Sequence, residues 1–233
     1  QADPDDRELR DLEPFLEGKE PRGDVEEREW PLPSHRSEGS GFMSELLKGD
    51  GTLDDYIALV VQHYFIYVAL EAAAENMRLD PVASAFVTDS LTRLPAVEAD
   101  LTALLGADWL DQIEALPATQ RYADRINAIG STWAGGFIAH HYTRYLGDLS
   151  GGIFIGRVMQ RRFGLEDGGV TFYQFDQIAD PTVFKNEYRE QLDAVTWDAE
   201  ERERVIEEVL LAYQFNTEVF EDLAAAKASA LVA

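Results

Sequence analysis

One short stretch carries the residue types and spacings that could do chemistry. From Tyr142 to Gly152 the chain reads Tyr-Thr-Arg-Tyr-Leu-Gly-Asp-Leu-Ser-Gly-Gly, with Arg144 four residues before Asp148 and Gly147 four before Gly151. On a helix, residues four apart share a face. Arg144 and Asp148 could therefore pair or organise a water. Gly147 and Gly151 would lay the backbone bare, so that a flat ligand could approach it closely, and would also permit a kink. Glycine costs an exposed helix interior about 1 kcal/mol against alanine, yet apolar and aromatic residues flank these glycines and no proline ends the helix. Spacing alone is equally compatible with a glycine-rich break between two helices or a tight helix crossing.

The other reactive side chains are few. There are four histidines, His35, His63, His140 and His141, and no cysteine, which removes disulfides, thiolate metal sites and cysteine nucleophiles. His63 stands four residues before Tyr67 on one helix-like segment, where a hydrogen-bonded core histidine is the plainer reading. His140 and His141 are adjacent and cannot both face one side of a helix. No Glu-x-x-His pair of the kind used by di-iron carboxylate bundles occurs. The glycines at 147–152 follow a helix rather than a strand, so they do not form a dinucleotide loop.

The elements that must position these residues read as helices. Leu53 to Met77 carries apolar residues at Ile57, Val60, Val61, Tyr64 and Val68, the spacing of a buried stripe. Val82 to Leu105 reads as helix with an interruption near Pro95. Pro117 to Ile129, Thr132 to Leu146 and Ile153 to Phe163 follow, then a turn at Gly164 to Gly169. Asp180-Pro181 opens a helix to about Leu192, and Trp197-Asp198 opens the last long one. Short β-type runs such as Gly169 to Phe175 do not form a series. The fold expected is all-α and single-domain, with residues 1–33 an acidic, Pro-containing extension in which Arg7 to Leu16 could form a short helix, 34–227 the domain, and 228–233 a short tail.

Composition agrees with one core: 233 residues, 45% of them hydrophobic. The formal net charge of −24 argues against nucleic acid and anionic membrane surfaces as partners. Only Lys19, Lys48, Lys185 and Lys227 are lysines, and a lysine-poor acidic surface suits a salt-rich habitat, although a high-GC genome gives the same arginine bias. No apolar run is read as long enough to span a bilayer, and no secretory core stands at the N-terminus. Absence of cysteine fits a reducing cytoplasm.

The eleven residues from Tyr142 to Gly152 closely resemble the distal-helix signature of the all-helical, biliverdin-producing heme oxygenases, as their bacterial members carry it. The resemblance runs from about residue 35 to about residue 225. It includes Phe42-Met43-Ser44-Glu45-Leu46-Leu47-Lys48-Gly49, Phe65 to Glu71 around Tyr67, His140-His141-Tyr142, Phe172-Tyr173-Gln174-Phe175, Lys185-Asn186-Glu187-Tyr188-Arg189 and Phe215-Asn216. It implies a helical bundle that sandwiches heme between a proximal helix and a glycine-kinked distal helix. Heme would be both cofactor and substrate, cleaved with dioxygen and external electrons to biliverdin, carbon monoxide and ferrous iron.

The resemblance also implies roles. Asp148 would hold a water that donates a hydrogen bond to oxygen activated at the iron, with Arg144 and Tyr67 in the same network. Gly147, Gly151 and Gly152 would lie over the heme face and direct attack to one meso edge. Tyr142, Arg189 and Phe215 would contact heme, the first two at its propionates, and Arg28 would be an N-terminal basic partner. The proximal ligand would be His35. In the family that histidine stands eight residues before the Phe of the Phe-Met pair, which is Ser34 here, while His35 is seven before; Pro31, Pro33 and Gly39-Ser40-Gly41 leave room for a local rearrangement. Nine residues before Arg189, where a lysine is expected, stands Asp180, an acid that would repel a propionate. Electrons would come from a ferredoxin or a flavoprotein reductase, docking at Arg157, Arg161 and Arg162. The alternative on the same scaffold is a non-catalytic heme-binding or heme-sensing protein. A thiamin-degrading relative of similar shape would need a cysteine nucleophile.

Overall fold

The computed structural model describes residues 39–166 and 168–230, and every regular element in that range is helical. Eight helices carry the fold: α1 (Gly39–Lys48), α2 (Leu53–Met77), α3 (Leu94–Leu105), α4 (Pro117–Ile129), α5 (Ala134–Gly147), α6 (Ile153–Phe163), α7 (Pro181–Asp193) and α8 (Ala199–Ala230). His35 and Arg28 lie outside the described residues, as does the short helix read at Arg7 to Leu16.

Local signals set the helix ends. Thr52 caps α2 by accepting from Asp55 N at 3.2 Å, while Asp55 Oδ2 accepts from Thr52 N at 2.8 Å, a reciprocal box. Pro117 and Pro181 sit in the first turns of α4 and α7, where a missing N–H costs nothing. The same rule corrects the reading around Pro95. That proline does not interrupt a helix from Val82; it opens α3 at Leu94, and only two single 3-10 turns, Ala83–Ala85 and Asp89–Leu91, precede it. Glu71 on α2 accepts from the Arg93 and Leu94 amides and so caps α3 from outside. The β-type run at 169–175 is a single 3-10 turn at Thr171–Tyr173 held by Asp100, whose carboxylate accepts from the Gly169, Thr171 and Phe172 amides. The tail expected from 228 is helical through Ala230.

α2 runs through the centre, with Tyr56, Leu59, Val60, Ile66, Tyr67 and Leu70 buried. It is long and apolar enough to cross a bilayer, contrary to the sequence expectation, but more than half of its most apolar window is buried inside the fold, as in a core helix. α3 and α4 pack on α2, and α8 packs along α5, α1 and α4. Lys227 near the end of α8 pairs with Glu45 Oε2 at 2.6 Å and Asp55 Oδ2 at 3.0 Å, tying α8 to α1 and to the start of α2.

Candidate active site

Between α5 and α6 the helix does not stop. Asp148–Gly152 forms one π-helical turn, continuous with both neighbours. A π turn inserts an extra residue and recurs at functional sites. The glycines expected to kink the helix instead widen it for one turn. Two of them face opposite ways. A Cβ added at Gly147 would meet nothing within 4 Å, whereas one at Gly152 would meet Tyr173 Cδ1 at 3.0 Å and one at Gly156 would meet Tyr173 Cβ at 2.7 Å. The helix thus shows bare backbone to open space at Gly147 and receives the Tyr173 ring on its inner side. Gly151 is buried in the same turn, and the Cβ side of Gly152, expected to face heme, is occupied by Tyr173.

Asp148 is buried beside Gly147. Its Oδ2 accepts from the hydroxyl of Tyr67, which is fully buried on α2. Burial raises the Asp148 carboxyl above the ordinary range, while Arg144, the Tyr67 hydrogen bond and Arg93 pull the other way. Arg144 lies one turn earlier, with its guanidinium carbon 5.3 Å from the Tyr67 ring centre. Nη1 donates to Asn216 Oδ1 of α8 at 2.7 Å and Nη2 to His63 Nδ1 of α2 at 3.1 Å. Burial opposes its charge, and the oxygens of Tyr67, Asp148 and Tyr122 around it outweigh that. Tyr145 meets the Tyr67 ring edge-on at 5.4 Å and donates to Glu71 at 3.4 Å. Arg144 Nε and Tyr122 Oη are buried with no hydrogen-bond partner among the described residues. Such groups suit ordered water.

The remaining expected residues distribute around this centre. Tyr142 is partly buried against Tyr188, ring centres 6.1 Å apart. Arg189 on α7 is half-buried and reaches Asn186. Phe215 stacks on Tyr122 at 5.1 Å. His140 and His141 are structural. His140 Nε2 lies 2.8 Å from Glu208 Oε1, and His141 Nδ1 lies 2.9 Å from the Tyr188 hydroxyl, with burial driving the His141 ring down to about 3.

Two expectations are corrected. Asp180 does not face a ligand: its carboxylate caps α7, accepting from Thr182 N at 2.8 Å and Val183 N at 3.1 Å. The cation on that helix is Lys185, whose Nζ donates to Ser150 Oγ of the π turn at 2.9 Å. Lys185 precedes Arg189 by four residues, so both project from one side of α7; that spacing was visible in the sequence and passed over. Arg162 does not form part of a free basic face. Its guanidinium donates to the backbone carbonyls of Leu46, Gly49 and Gly51, at and beyond the end of α1, where helix carbonyls have no partners of their own. Arg157 and Arg161 are exposed on α6.

An all-helical fold with a buried carboxylate beside a stripped helix backbone defines a heme-degrading class of enzyme, and comparison with known proteins identifies it. The family model described as heme oxygenase matches residues 33–222. A heme oxygenase of Takifugu rubripes is 40% identical over 190 residues, spanning 81% of this chain and 69% of the relative. One from Pyropia yezoensis is 36% identical over 198 residues, spanning 84% and 83%. The crystal structure of heme oxygenase-1 from the cyanobacterium Synechocystis in complex with heme superposes with a TM-score of 0.76 at 34% identity, covering 82% of this chain and 86% of that one. The chain belongs to the heme oxygenase family.

Proposed function

We propose that this chain binds heme against the bare backbone of the π turn and cleaves it to biliverdin, carbon monoxide and ferrous iron. The observation that carries the reading is the Tyr67–Asp148–Arg144 network set directly beside Gly147, where a side chain would find only open space. The residues present fit a flat, apolar group with two carboxylates. Gly147 offers no side chain to obstruct a ring, and Lys185 and Arg189 project from one side of α7 toward the same turn. Cations there can receive propionates, and Arg can do so with two parallel hydrogen bonds. Tyr142 supplies a hydroxyl on the same flank. His35, four residues ahead of α1, is the candidate iron ligand, and Arg28 a candidate cation beyond it.

When bound, heme supplies both the substrate carbon and the iron at which dioxygen is activated. The protein supplies proton placement. Tyr67 donates to Asp148 Oδ2 and leaves Oδ1 to hold a water whose proton points toward the ligand side. Arg144 keeps positive charge beside that carboxylate, and α2, α5 and α8 together keep bulk water out. Donors placed in advance, where charge develops, give the largest single catalytic effect in buried sites.

Electrons come from an external donor. The exposed pair Arg157 and Arg161, four apart on α6 and just past the π turn, forms a local basic dock on an otherwise acidic protein, suited to an acidic ferredoxin. Reversing both charges slows ferredoxin-driven turnover and spares ascorbate-driven turnover; equal slowing with both donors refutes the dock. This reading places turnover in the cytoplasm, where such reductants and a cysteine-free chain are both at home.

The test is a hemin titration of the purified protein, followed by reductant in air. A stoichiometric Soret band that decays to a biliverdin spectrum is expected. A Soret band that persists under reductant and oxygen would replace the catalytic reading with non-catalytic heme binding. His35→Ala then tests the ligand: the heme complex should lose its axial imidazole signature by resonance Raman spectroscopy.

A further inference from the structure

One buried titratable group in this region has no part in the function above. His63 lies one turn before Tyr67 on α2 and is buried. Its ring stacks on Phe172, with centres 4.9 Å apart and planes at 19°, and meets Tyr173 edge-on at 6.3 Å. Arg144 Nη2 stands 3.1 Å from Nδ1, and the Tyr173 hydroxyl stands 3.4 Å from Nε2.

These contacts fix the tautomer. A guanidinium has donors and no acceptor. Nδ1 therefore presents its lone pair to Arg144, and the ring proton sits on Nε2, facing Tyr173 Oη. Burial, and after it the Arg144 charge, hold the imidazole well below its ordinary range, so the ring stays neutral. Tyr173 in turn fills the inner side of the distal helix at Gly152 and Gly156.

Arg144 has two side-chain acceptors, Asn216 on α8 and His63 on α2. Its Nε has none among the described residues. A planar guanidinium held at two nitrogens from two helices cannot turn; held at one, it can.

We propose that His63 is a positioning residue for the distal carboxylate: as the neutral Nε2-protonated tautomer it locks the Arg144 guanidinium beside Tyr67 and Asp148 and joins it, through Tyr173, to the glycine face of the distal helix. The proposal rests on the heme oxygenase reading for its consequence, and on the protein alone for its geometry.

The first test needs no heme. In the heme-free protein labelled with ¹⁵N at histidine, long-range ¹H–¹⁵N spectra should show His63 with Nδ1 unprotonated and Nε2 protonated, unchanged from about pH 6 to about pH 8, across the range where a free histidine titrates. A proton on Nδ1, or a doubly protonated ring, overturns the proposal. The second test compares His63→Leu with His63→Gln, whose amide oxygen can still accept from Arg144. His63→Leu should move the acid–alkaline transition of the ferric heme complex by about one pH unit. It should also lower biliverdin formed per dioxygen consumed about tenfold, the effect of losing one hydrogen bond to a buried cation. His63→Gln should restore both. A folded His63→Leu with a lower melting temperature but an unchanged transition and yield reduces His63 to packing and overturns the role. If His63→Leu does not fold, the wild-type tautomer and the His63→Gln values decide. A wild type that shows the expected tautomer but makes no biliverdin faults the enzyme reading instead.

Discussion

Asp148→Asn should make the protein more stable and less active at once. The carboxyl is buried, and burial outweighs Arg144, the Tyr67 hydroxyl and Arg93 in raising its pKa. A group whose folded pKa lies above its unfolded value of 3.8 contributes most below that value, and its contribution is lost as pH rises through the folded pKa. At pH 7 the ionised carboxylate is therefore a net cost to the fold. Asparagine removes the charge and keeps an oxygen for Tyr67, but it leaves Arg144 with less counter-charge, so the net gain is the small difference of two large effects. We expect about 1 kcal/mol, seen as a rise of roughly 2–4 °C in the melting temperature of the heme-free protein at neutral pH. The gain should vanish below about pH 4, where the wild-type group is itself neutral in both states. Biliverdin formation should fall at least about 100-fold, the scale of a lost proton-placing group. Melting curves at two pH values and a single-turnover assay measure both. A variant less stable than wild type at pH 7, or one that keeps its biliverdin yield, would refute the assignment.

Three further outcomes follow from the same contacts. Glu208 accepts from Arg125 Nε at 2.9 Å, from Arg125 Nη2 at 2.5 Å and from His140; burial alone would raise its pKa, but these donors hold it at about 2 against 4.5. Its contribution is thus present above pH 4.5 and lost as pH falls toward 2. Glu208→Gln should lower stability by about 2 kcal/mol at pH 7, and its urea midpoint should converge with that of wild type across that acid window. Gly147→Ala, on an ordinary helical backbone with open space around it, should stabilise the heme-free protein by about 0.5–1 kcal/mol and weaken hemin binding at least about tenfold. Unchanged hemin affinity would remove Gly147 from the site. The net charge of −24 should make stability salt-dependent. Raising ionic strength from about 0.1 to about 1 M shortens the screening length from about 10 to about 3 Å and should raise the melting temperature, whereas a fall would mean that specific ion pairs outweigh the repulsion.

Most helix positions were legible because their signals are local. α2, α4 and α6 begin and end where periodicity, capping and glycine place them. Pro95 misled because a proline reads the same whether it breaks a helix or opens one; the difference lay in Glu71, whose carboxylate caps α3 from another helix. The reactive stretch was visible in sequence, and Tyr67 was reached only through resemblance, since it and Asp148 are 81 residues apart. The partners of Arg144 were hidden for the same reason: Asn216 lies 72 residues away and His63 lies 81. Asp180 was given a charge role that the fold spends on capping. The π turn had no local signal beyond its glycines, which serve a kink, a crossing and a widened turn equally well.

Arg162 has a consequence for motion. By gripping the carbonyls of Leu46, Gly49 and Gly51 it pins the far end of α6 to the far end of α1. Lys227 fastens α1 to α8 near the same place. The jaws on either side of the substrate are therefore hinged at one end, like a clothes-peg, and only the Gly39 end of α1 is at liberty to swing. α1 is about 15 Å long at 1.5 Å per residue, so a tilt of about ten degrees about the hinge shifts its free end by roughly 2.6 Å. Release of a large, bent tetrapyrrole would run at the pace of that swing, as lid motion sets the pace of many enzymes. The arginine farthest from the chemistry would then govern how long the product stays.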